Sequence, residues 1–212
     1  MADPIANQHE KWSETFVARP DFLGSEPSEP GRAALARFSM AEVAEVLELG
    51  PGQGRDTLLF AQGGLRVIAL DHAEAGLSQI AAKAETHGLD ASIQTLLGDV
   101  RSPPPLADEG VDACYAHMLF CMALTTAEIE RLMSEVRRVL RPGGLLVYTV
   151  RTTADAHLGW ASTAAMIDGR LEASSSTSST MRSSTASPAG SRSLRSRITR
   201  RAACRAALRR SR

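Results

Sequence analysis

The sequence is poor in the residues that build cross-linked or metal-bound folds. Only three of its 212 residues are cysteines, Cys114, Cys121 and Cys204, and no two of them have CxxC spacing. An odd number without paired spacing argues against a disulfide framework and against a zinc site. We therefore expect no bound metal, and we interpret Cys114 and Cys121 as small, buried apolar side chains.

Long apolar runs are also missing. No window approaches the ~18 apolar residues that a membrane span needs, and the opening MADPIANQHEKW has no basic stretch followed by an apolar one. These absences predict a cytoplasmic protein with neither a signal peptide nor a membrane partner. A hydrophobic content of 43% at this length is enough for one α/β domain with a buried core.

Acidic and aromatic residues are absent from the last forty positions. Residues 173–212 hold 10 of the 24 basic residues, all of them arginine, and none of the 24 acidic ones. Three interpretations stay open for this segment: a disordered basic tail, a nucleic-acid-binding arm, or out-of-frame translation. We favour the third, with the break near Gly159, because serine codons of the form TCN become NTC in the shifted frame. NTC encodes only Phe, Leu, Ile or Val, so the serine runs would decode to apolar runs.

Before that segment, short apolar segments alternate with amphipathic ones. Strands are predicted over 41–50, 66–71 and 145–150. A strand and its exit are predicted over 92–100, and a strand that runs into its loop over 111–120. Helices are predicted over 8–18, 32–40, 55–64, 74–88 and 125–140. The segment RPGG, residues 141–144, is expected to interrupt regular secondary structure between the last helix and the fifth strand. Strands that alternate with helices favour a parallel sheet with right-handed crossovers.

The sharpest motif is ELGPGQG at residues 48–54, a glycine-rich turn between a predicted buried strand and a helix. Gly50, Gly52 and Gly54 have no Cβ atom, so a ligand can lie against the backbone. Glu48 stands two residues before the first glycine, and Asp71 ends the next strand. A carboxylate here suits a cationic ligand and would repel a diphosphate. Asp71 is placed to accept hydrogen bonds from ribose hydroxyls.

With these features the chain resembles the class I methyltransferases that use S-adenosylmethionine (SAM), over residues 42–151. Five segments carry the resemblance in the family's order: VLELGPGQG (46–54), VIALD (67–71), GDV (98–100), VDACYAHMLF (111–120) and LRPGGLLVYTV (140–150). The resemblance implies SAM as the cofactor, with its ammonium near Glu48 and its ribose at Asp71. It further implies that Asp99 accepts from the adenine amino group and that Val100 covers the ring.

The fold implied is α/β, a Rossmann-like three-layer αβα sandwich with a mostly parallel sheet, incomplete at its C-terminal edge. We expect three regions. Residues 1–40 form a helical cap or lid in which Trp12, Phe16 and Phe22 either line a small apolar pocket or simply pack as core. Residues 41–158 form the SAM-binding domain, and 159–212 form the aberrant, disordered tail.

For chemistry, a neutral nucleophile needs a group that takes its proton. His117, at the exit of the fourth strand, is the candidate catalytic residue, and His157 is a second candidate; each has a plain structural alternative. The segment HMLF (117–120) lacks the (Asn/Asp)-Pro-Pro-(Tyr/Phe) pattern of methyltransferases that act on exocyclic or amide nitrogens. No basic patch with interleaved aromatics occurs before residue 150, so nucleic acid is not expected as a partner.

The predicted function is therefore methyl transfer from SAM to a small-molecule acceptor. Two alternatives stay open: a non-catalytic nucleotide-binding remnant with a basic C-terminal arm, and an NAD-dependent oxidoreductase. The acceptor atom and the oligomeric state do not follow from the residues.

Overall fold

The computed structural model describes residues 8–150 of the protein. Its helices are α1 (Gln8–Ala18), α2 (Glu29–Met40), α3 (Arg55–Gln62), α4 (Glu74–His87) and α5 (Thr126–Val139), with a short 3-10 helix at Leu119–Cys121. Its strands are β1 (Glu45–Leu49), β2 (Arg66–Asp71), β3 (Ile93–Leu97), β4 (Val111–His117) and β5 (Leu140–Thr149). The predicted C-terminal tail and His157 lie outside the described residues.

All five strands pair in parallel, in the order β3-β2-β1-β4-β5. The first strand, β1, therefore lies in the middle of the sheet. Strands β2 and β3 extend the sheet on one side of β1, and β4 and β5 extend it on the other side. This confirms the parallel sheet that the alternation of segments predicts. Within the described residues β5 forms one edge of the sheet.

The two faces of the sheet bury different helices, because successive side chains of a strand point to opposite sides. On one face Val46 of β1 and Val67 of β2 pack in a cluster with Phe38 of α2 and Phe60 of α3. The other face packs against α5. The buried members of that second cluster include Leu47, Leu49, Cys114, Leu132 and Val136. Helices on both faces confirm the three-layer, Rossmann-like architecture, and Cys114 is a buried core residue, as predicted.

Local sequence explains where two of the helices begin. Ser28 caps α2 by accepting a hydrogen bond from the backbone N–H of Gly31 at 2.9 Å. Thr125 and Glu128 form a reciprocal capping box at the start of α5.

Strand β4 ends at His117, the predicted exit of the fourth strand, where Met118 adopts a left-handed backbone with φ of 62°. Other boundaries differ from their predictions. Strand β1 begins at Glu45 rather than at residue 41. The predicted break at RPGG, residues 141–144, is wrong, because Leu140 already pairs with Val111 and β5 continues through this segment. The extra residues of β5 are accommodated by a shift in the pairing register. Strand β4 advances from Val111 to Ala113 while β5 advances from Leu140 to Leu145.

No helix among residues 8–150 combines the length and the apolar character needed to cross a lipid bilayer.

The glycine turn after β1 offers a stability test. Gly54 has φ of +83°, and a Cβ atom there would lie 2.4 Å from Cγ1 of the buried Ile80. Gly64 has a similar φ of +87° but no atom within 4 Å. We expect Gly54→Ala and Gly64→Ala each to lose about 1–2 kcal/mol from the left-handed backbone. Gly54→Ala should lose roughly 1–3 kcal/mol more from overpacking.

Urea denaturation of both variants measures the difference. Equal losses of unfolding free energy in the two variants would contradict the close packing of α4 against the turn.

Candidate functional site

A cavity of about 620 Å³ opens where the carboxyl ends of β1, β2 and β4 meet. Of the eight residues predicted for the site, seven line it: Glu48, Gly50, Gly52, Asp71, Asp99, Val100 and His117. Gly54 does not line it and instead packs against Ile80 of α4. Parallel strands place the ends of separate chain segments at one edge, which explains why residues as far apart as Glu48 and His117 meet there.

Glu48 and Asp56 are the most deeply buried acids of the cavity, each with 3% of its surface exposed. The hydroxyl of Thr57 donates a hydrogen bond to Oε2 of Glu48 at 2.6 Å. Burial is the main cause and the charge of Asp56 the second in raising the pKa of Glu48 to about 8, while the Thr57 hydrogen bond opposes the rise. At neutral pH the Glu48 carboxyl is therefore mostly protonated, and a cation beside it would favour its ionised form.

Asp71 joins the end of β2 to the glycine turn. Its Oδ2 accepts from the backbone N–H of Gly52 at 3.0 Å, and its Oδ1 accepts from that of Ala73 at 2.9 Å. Burial raises the pKa of Asp71, while these two N–H bonds oppose the shift. Each carboxylate oxygen has a second lone-pair site, so both can still accept from a ligand hydroxyl.

Asp99 lies in the loop after β3 and is engaged by its neighbour Arg101. The Arg101 Nε lies 2.9 Å from both carboxylate oxygens, and the Arg101 backbone N–H donates to Oδ1 at 2.9 Å. These hydrogen bonds hold the pKa of Asp99 below its usual range. Arg101 also lines the cavity. Sequence reasoning missed it, because no spacing pattern links an arginine to the glycine turn.

His117 lies at the end of β4 with a partner for each ring nitrogen. Its Nδ1 lies 2.8 Å from the hydroxyl of Thr149, and its Nε2 lies 3.4 Å from Nη2 of Arg55. A guanidinium can only donate, so Nε2 accepts and the ring proton belongs on Nδ1, directed at Thr149. Burial lowers the pKa of His117; Asp56 opposes this shift and Arg55 adds to it. The ring is thus neutral near pH 7, and its catalytic role stays a prediction.

The N-terminal segment, residues 8–28, closes one side of the cavity. Trp12, Phe16 and Phe22 all line it, and they also contact one another, with Trp12 5.5 Å from Phe16 and 6.2 Å from Phe22 between ring centroids. The buried Gln53 holds the segment in place: it accepts from the Leu23 backbone N–H at 3.0 Å and donates to the carbonyls of Arg19 and Pro20. The aromatic residues therefore both pack together and line the cavity.

The first turn of α3 supplies two polar groups that sequence reasoning missed. Arg55 reaches the cavity, where its Nη1 donates to the Leu23 carbonyl at 2.7 Å. Asp56 is buried and accepts from the backbone N–H and the hydroxyl of Ser28, at 2.7 and 2.6 Å, and from Tyr115 at 3.1 Å. Their positions directly after a glycine turn are the only signal that could have drawn attention to them.

Within residues 8–150 there is no group of three or more His, Cys, Asp and Glu side chains arranged to hold a metal ion.

Comparison with known proteins shows that the chain is similar to methyltransferases. Residues 46–144 match the family model described as a methyltransferase domain. The chain is 32% identical over 130 residues to a malonyl-[acyl-carrier protein] O-methyltransferase of Pectobacterium atrosepticum, covering 60% of this chain and 46% of that protein. It is 35% identical over 131 residues to an uncharacterized methyltransferase of Mycobacterium tuberculosis, covering 61% and 49%. The chain thus spans about half the length of these curated relatives.

Among solved structures, the fold is similar to that of a 1,6-didemethyltoxoflavin-N1-methyltransferase of Burkholderia thailandensis. The TM-score is 0.58 at 21% sequence identity, and the match covers 73% of this chain and 67% of that one. At this identity the likeness concerns the fold.

The buried carboxyl of Glu48 makes stability depend on pH. Because its folded pKa is raised above the unfolded value of 4.5 to about 8, the folded state holds a proton that the unfolded state has lost. The stability from this proton is present below pH 4.5 and is lost as pH rises toward 8. Glu48→Gln keeps an acceptor for Thr57 but cannot ionise. We expect the melting temperature of the variant, relative to the wild type, to rise between pH 5 and pH 8.

Thermal melts across that range test this expectation, and a difference that stays constant with pH would contradict the raised pKa.

Arg55 and Thr149 together are expected to set the protonation of the His117 ring, because Arg55 can only donate to Nε2 and Thr149 accepts at Nδ1. In the wild type, ¹⁵N NMR of the imidazole should report one dominant tautomer, protonated at Nδ1. Thr149→Val removes the acceptor and leaves the Arg55 donor in place, so we expect a partial shift toward the other tautomer. Thr95→Val, on the exposed face of β3, makes the same change away from the cavity and should leave the ring signals unchanged. Identical ring signals in Thr149→Val and wild type would show that Thr149 does not control the tautomer.

Proposed function

The chain belongs to the class I SAM-dependent methyltransferase family, and from that premise we propose that it transfers a methyl group from SAM to a small-molecule acceptor. The observation that carries this proposal is the cavity of about 620 Å³, which gathers Glu48, Asp71 and His117 beside an apolar N-terminal segment. Family members use SAM; binding of SAM by this chain is part of the proposal.

The charges of the cavity fit a cationic amino-acid cofactor. SAM supplies an electrophilic methyl group on a sulfonium, together with an α-ammonium group. Glu48 is buried and mostly protonated near pH 7, so it would hold the ammonium after giving up its proton. A diphosphate at the same place would meet a group that can only become neutral or negative. This supports SAM over a dinucleotide such as NAD.

The other end of the cavity fits a nucleoside. Asp71 would accept from ribose hydroxyls through the lone-pair sites that Gly52 and Ala73 leave open. Asp99 would accept from the adenine amino group while Arg101 holds its carboxylate in place, and Val100 would cover the ring. The predicted binding roles are thus compatible with the contacts that these side chains already make.

On the acceptor side, the protein's contribution is position and desolvation. Trp12, Phe22 and Met122 give this side apolar walls. His117 would take the acceptor's proton at Nε2, once the acceptor replaces the contact with Arg55 there, while Nδ1 stays bound to Thr149. The curated relative named above is a malonyl-[acyl-carrier protein] O-methyltransferase, so the proposal leaves the acceptor and its reacting atom open.

The partners follow from the same features. Because the N-terminal segment covers the cavity, a small acceptor fits better than a polymer. All 24 acidic residues lie before residue 173, so this part of the chain carries a net negative charge that disfavours nucleic acid. We also propose a cytoplasmic location without a membrane partner.

Isothermal titration calorimetry tests the cofactor. We expect the 212-residue chain to bind SAM and S-adenosylhomocysteine and not NAD. Glu48→Gln removes the carboxylate and should weaken SAM binding about 10- to 100-fold, as expected for a hydrogen bond between charged groups. Glu45→Gln is the matched control, since Glu45 lies on the same strand but outside the cavity, paired with Arg66.

Tight binding of NAD without binding of SAM would overturn the proposal. Unchanged SAM affinity in Glu48→Gln would overturn only the role of that residue.

A further inference from the structure

The two arginines of the cavity differ in what they bind. Arg101 forms an ion pair with Asp99. Arg55 instead contacts two neutral groups: its Nη1 donates to the Leu23 carbonyl at 2.7 Å, and its Nη2 lies 3.4 Å from Nε2 of His117. Within the part of the chain that the structure describes, the guanidinium of Arg55 therefore has no acid as a hydrogen-bond or ion-pair partner.

The guanidinium of Arg55 is suited to hold an anion. It carries five N–H donors in one plane, and the contacts with Leu23 and His117 engage only part of this fork. Arg55 is also half-buried, and a charge that is partly removed from water costs free energy unless it is paired. A carboxylate matches the planar fork and would relieve that cost.

The neighbours of Arg55 place such an anion on the acceptor side of the cavity. Leu23 belongs to the N-terminal segment and follows Phe22, which lines the cavity together with Trp12. His117 is the group that takes the acceptor's proton under the proposed function. Because Nη1 and Nη2 reach these two neighbours, an anion bound at the fork lies between the apolar wall and the histidine ring.

The same anion would free the ring of His117 for its role. The contact between Nη2 and Nε2 is 3.4 Å long, beyond the range of about 2.7–3.2 Å that is usual for a hydrogen bond from an N–H group. A hydrogen bond from a guanidinium to a carboxylate is shorter and roughly twice as strong as one between neutral groups. A carboxylate at the fork therefore competes with the ring for Nη2, and Nε2 becomes available to the acceptor.

We propose that the methyl acceptor carries a carboxylate, which Arg55 binds beside His117. The carboxylate positions the acceptor, and the apolar walls of Trp12, Phe22 and Met122 contact the rest of it. The inference rests on the proposed function and narrows its acceptor to acids with an apolar body. A carboxylate of the cofactor has the same chemistry as one on the acceptor, and the experiment separates these two sources.

The experiment is calorimetric titration of the full chain saturated with S-adenosylhomocysteine, so that the cofactor's own carboxylate is already bound. The probes are acetate, octanoate, benzoate and phenylacetate, each compared with its primary amide, which has nearly the same shape and no charge. We expect the wild type to bind at least one carboxylate about 10- to 100-fold more tightly than its amide, the range for a hydrogen bond between charged groups. Arg55→Gln should remove most of this preference. Arg55→Lys keeps the charge without the fork and should retain an intermediate preference.

Arg66→Gln is the matched control, because Arg66 pairs with Glu45 outside the cavity, and it should keep the full preference. The preference is a ratio of two affinities read within one variant, so partial unfolding of Arg55→Gln would not imitate its loss.

The inference is overturned if no carboxylate binds more tightly than its amide, which is also the result expected if the cofactor's carboxylate already occupies Arg55. It is equally overturned if Arg55→Gln keeps the preference, or if Arg101→Gln removes it instead. In each of these cases binding of S-adenosylhomocysteine, and with it the proposed function, still stands. If the wild type does not bind S-adenosylhomocysteine, the proposed function itself fails and this inference fails with it.

Discussion

The structure depends on the tight turn between β1 and α3, where several elements meet with no room for side chains. A Cβ atom at Gly52 would lie 2.6 Å from Leu23 of the N-terminal segment, and one at Gly54 would lie 2.4 Å from Ile80 of α4. Asp71 accepts the Gly52 N–H and thereby ties β2 to the same turn. The glycines thus allow the N-terminal segment, α4 and β2 to pack closely around the turn. The cavity lies beside this turn.

The charges at the strand ends give the cavity its chemistry. Glu48 and Asp71 are held as buried acids whose pKa values burial raises. Under the proposed function, the cationic groups of SAM would favour the ionised form of Glu48. Its ribose hydroxyls would use the lone-pair sites of Asp71 that Gly52 and Ala73 leave open.

Much of the fold could be predicted because local patterns and tertiary structure agree. Helix α1 and strand β2 have the predicted bounds, since their apolar spacing reflects one buried face or a fully buried strand. The RPGG segment was predicted wrongly because proline and glycine are local breakers, whereas pairing with β4 absorbs them in a register shift. Arg55 and Arg101 were missed because a lone arginine has no periodicity.

The sequence by itself determined the order of strands and helices, the glycine turn and the acids at the ends of β1 and β2, because each is a short-range pattern. Only the tertiary structure decided which groups meet in the cavity and what holds them. Thr149 orients His117 from 32 positions away, and Gln53 holds the N-terminal segment across 30 or more. Such contacts depend on how strands are placed beside one another, and no local spacing encodes that placement.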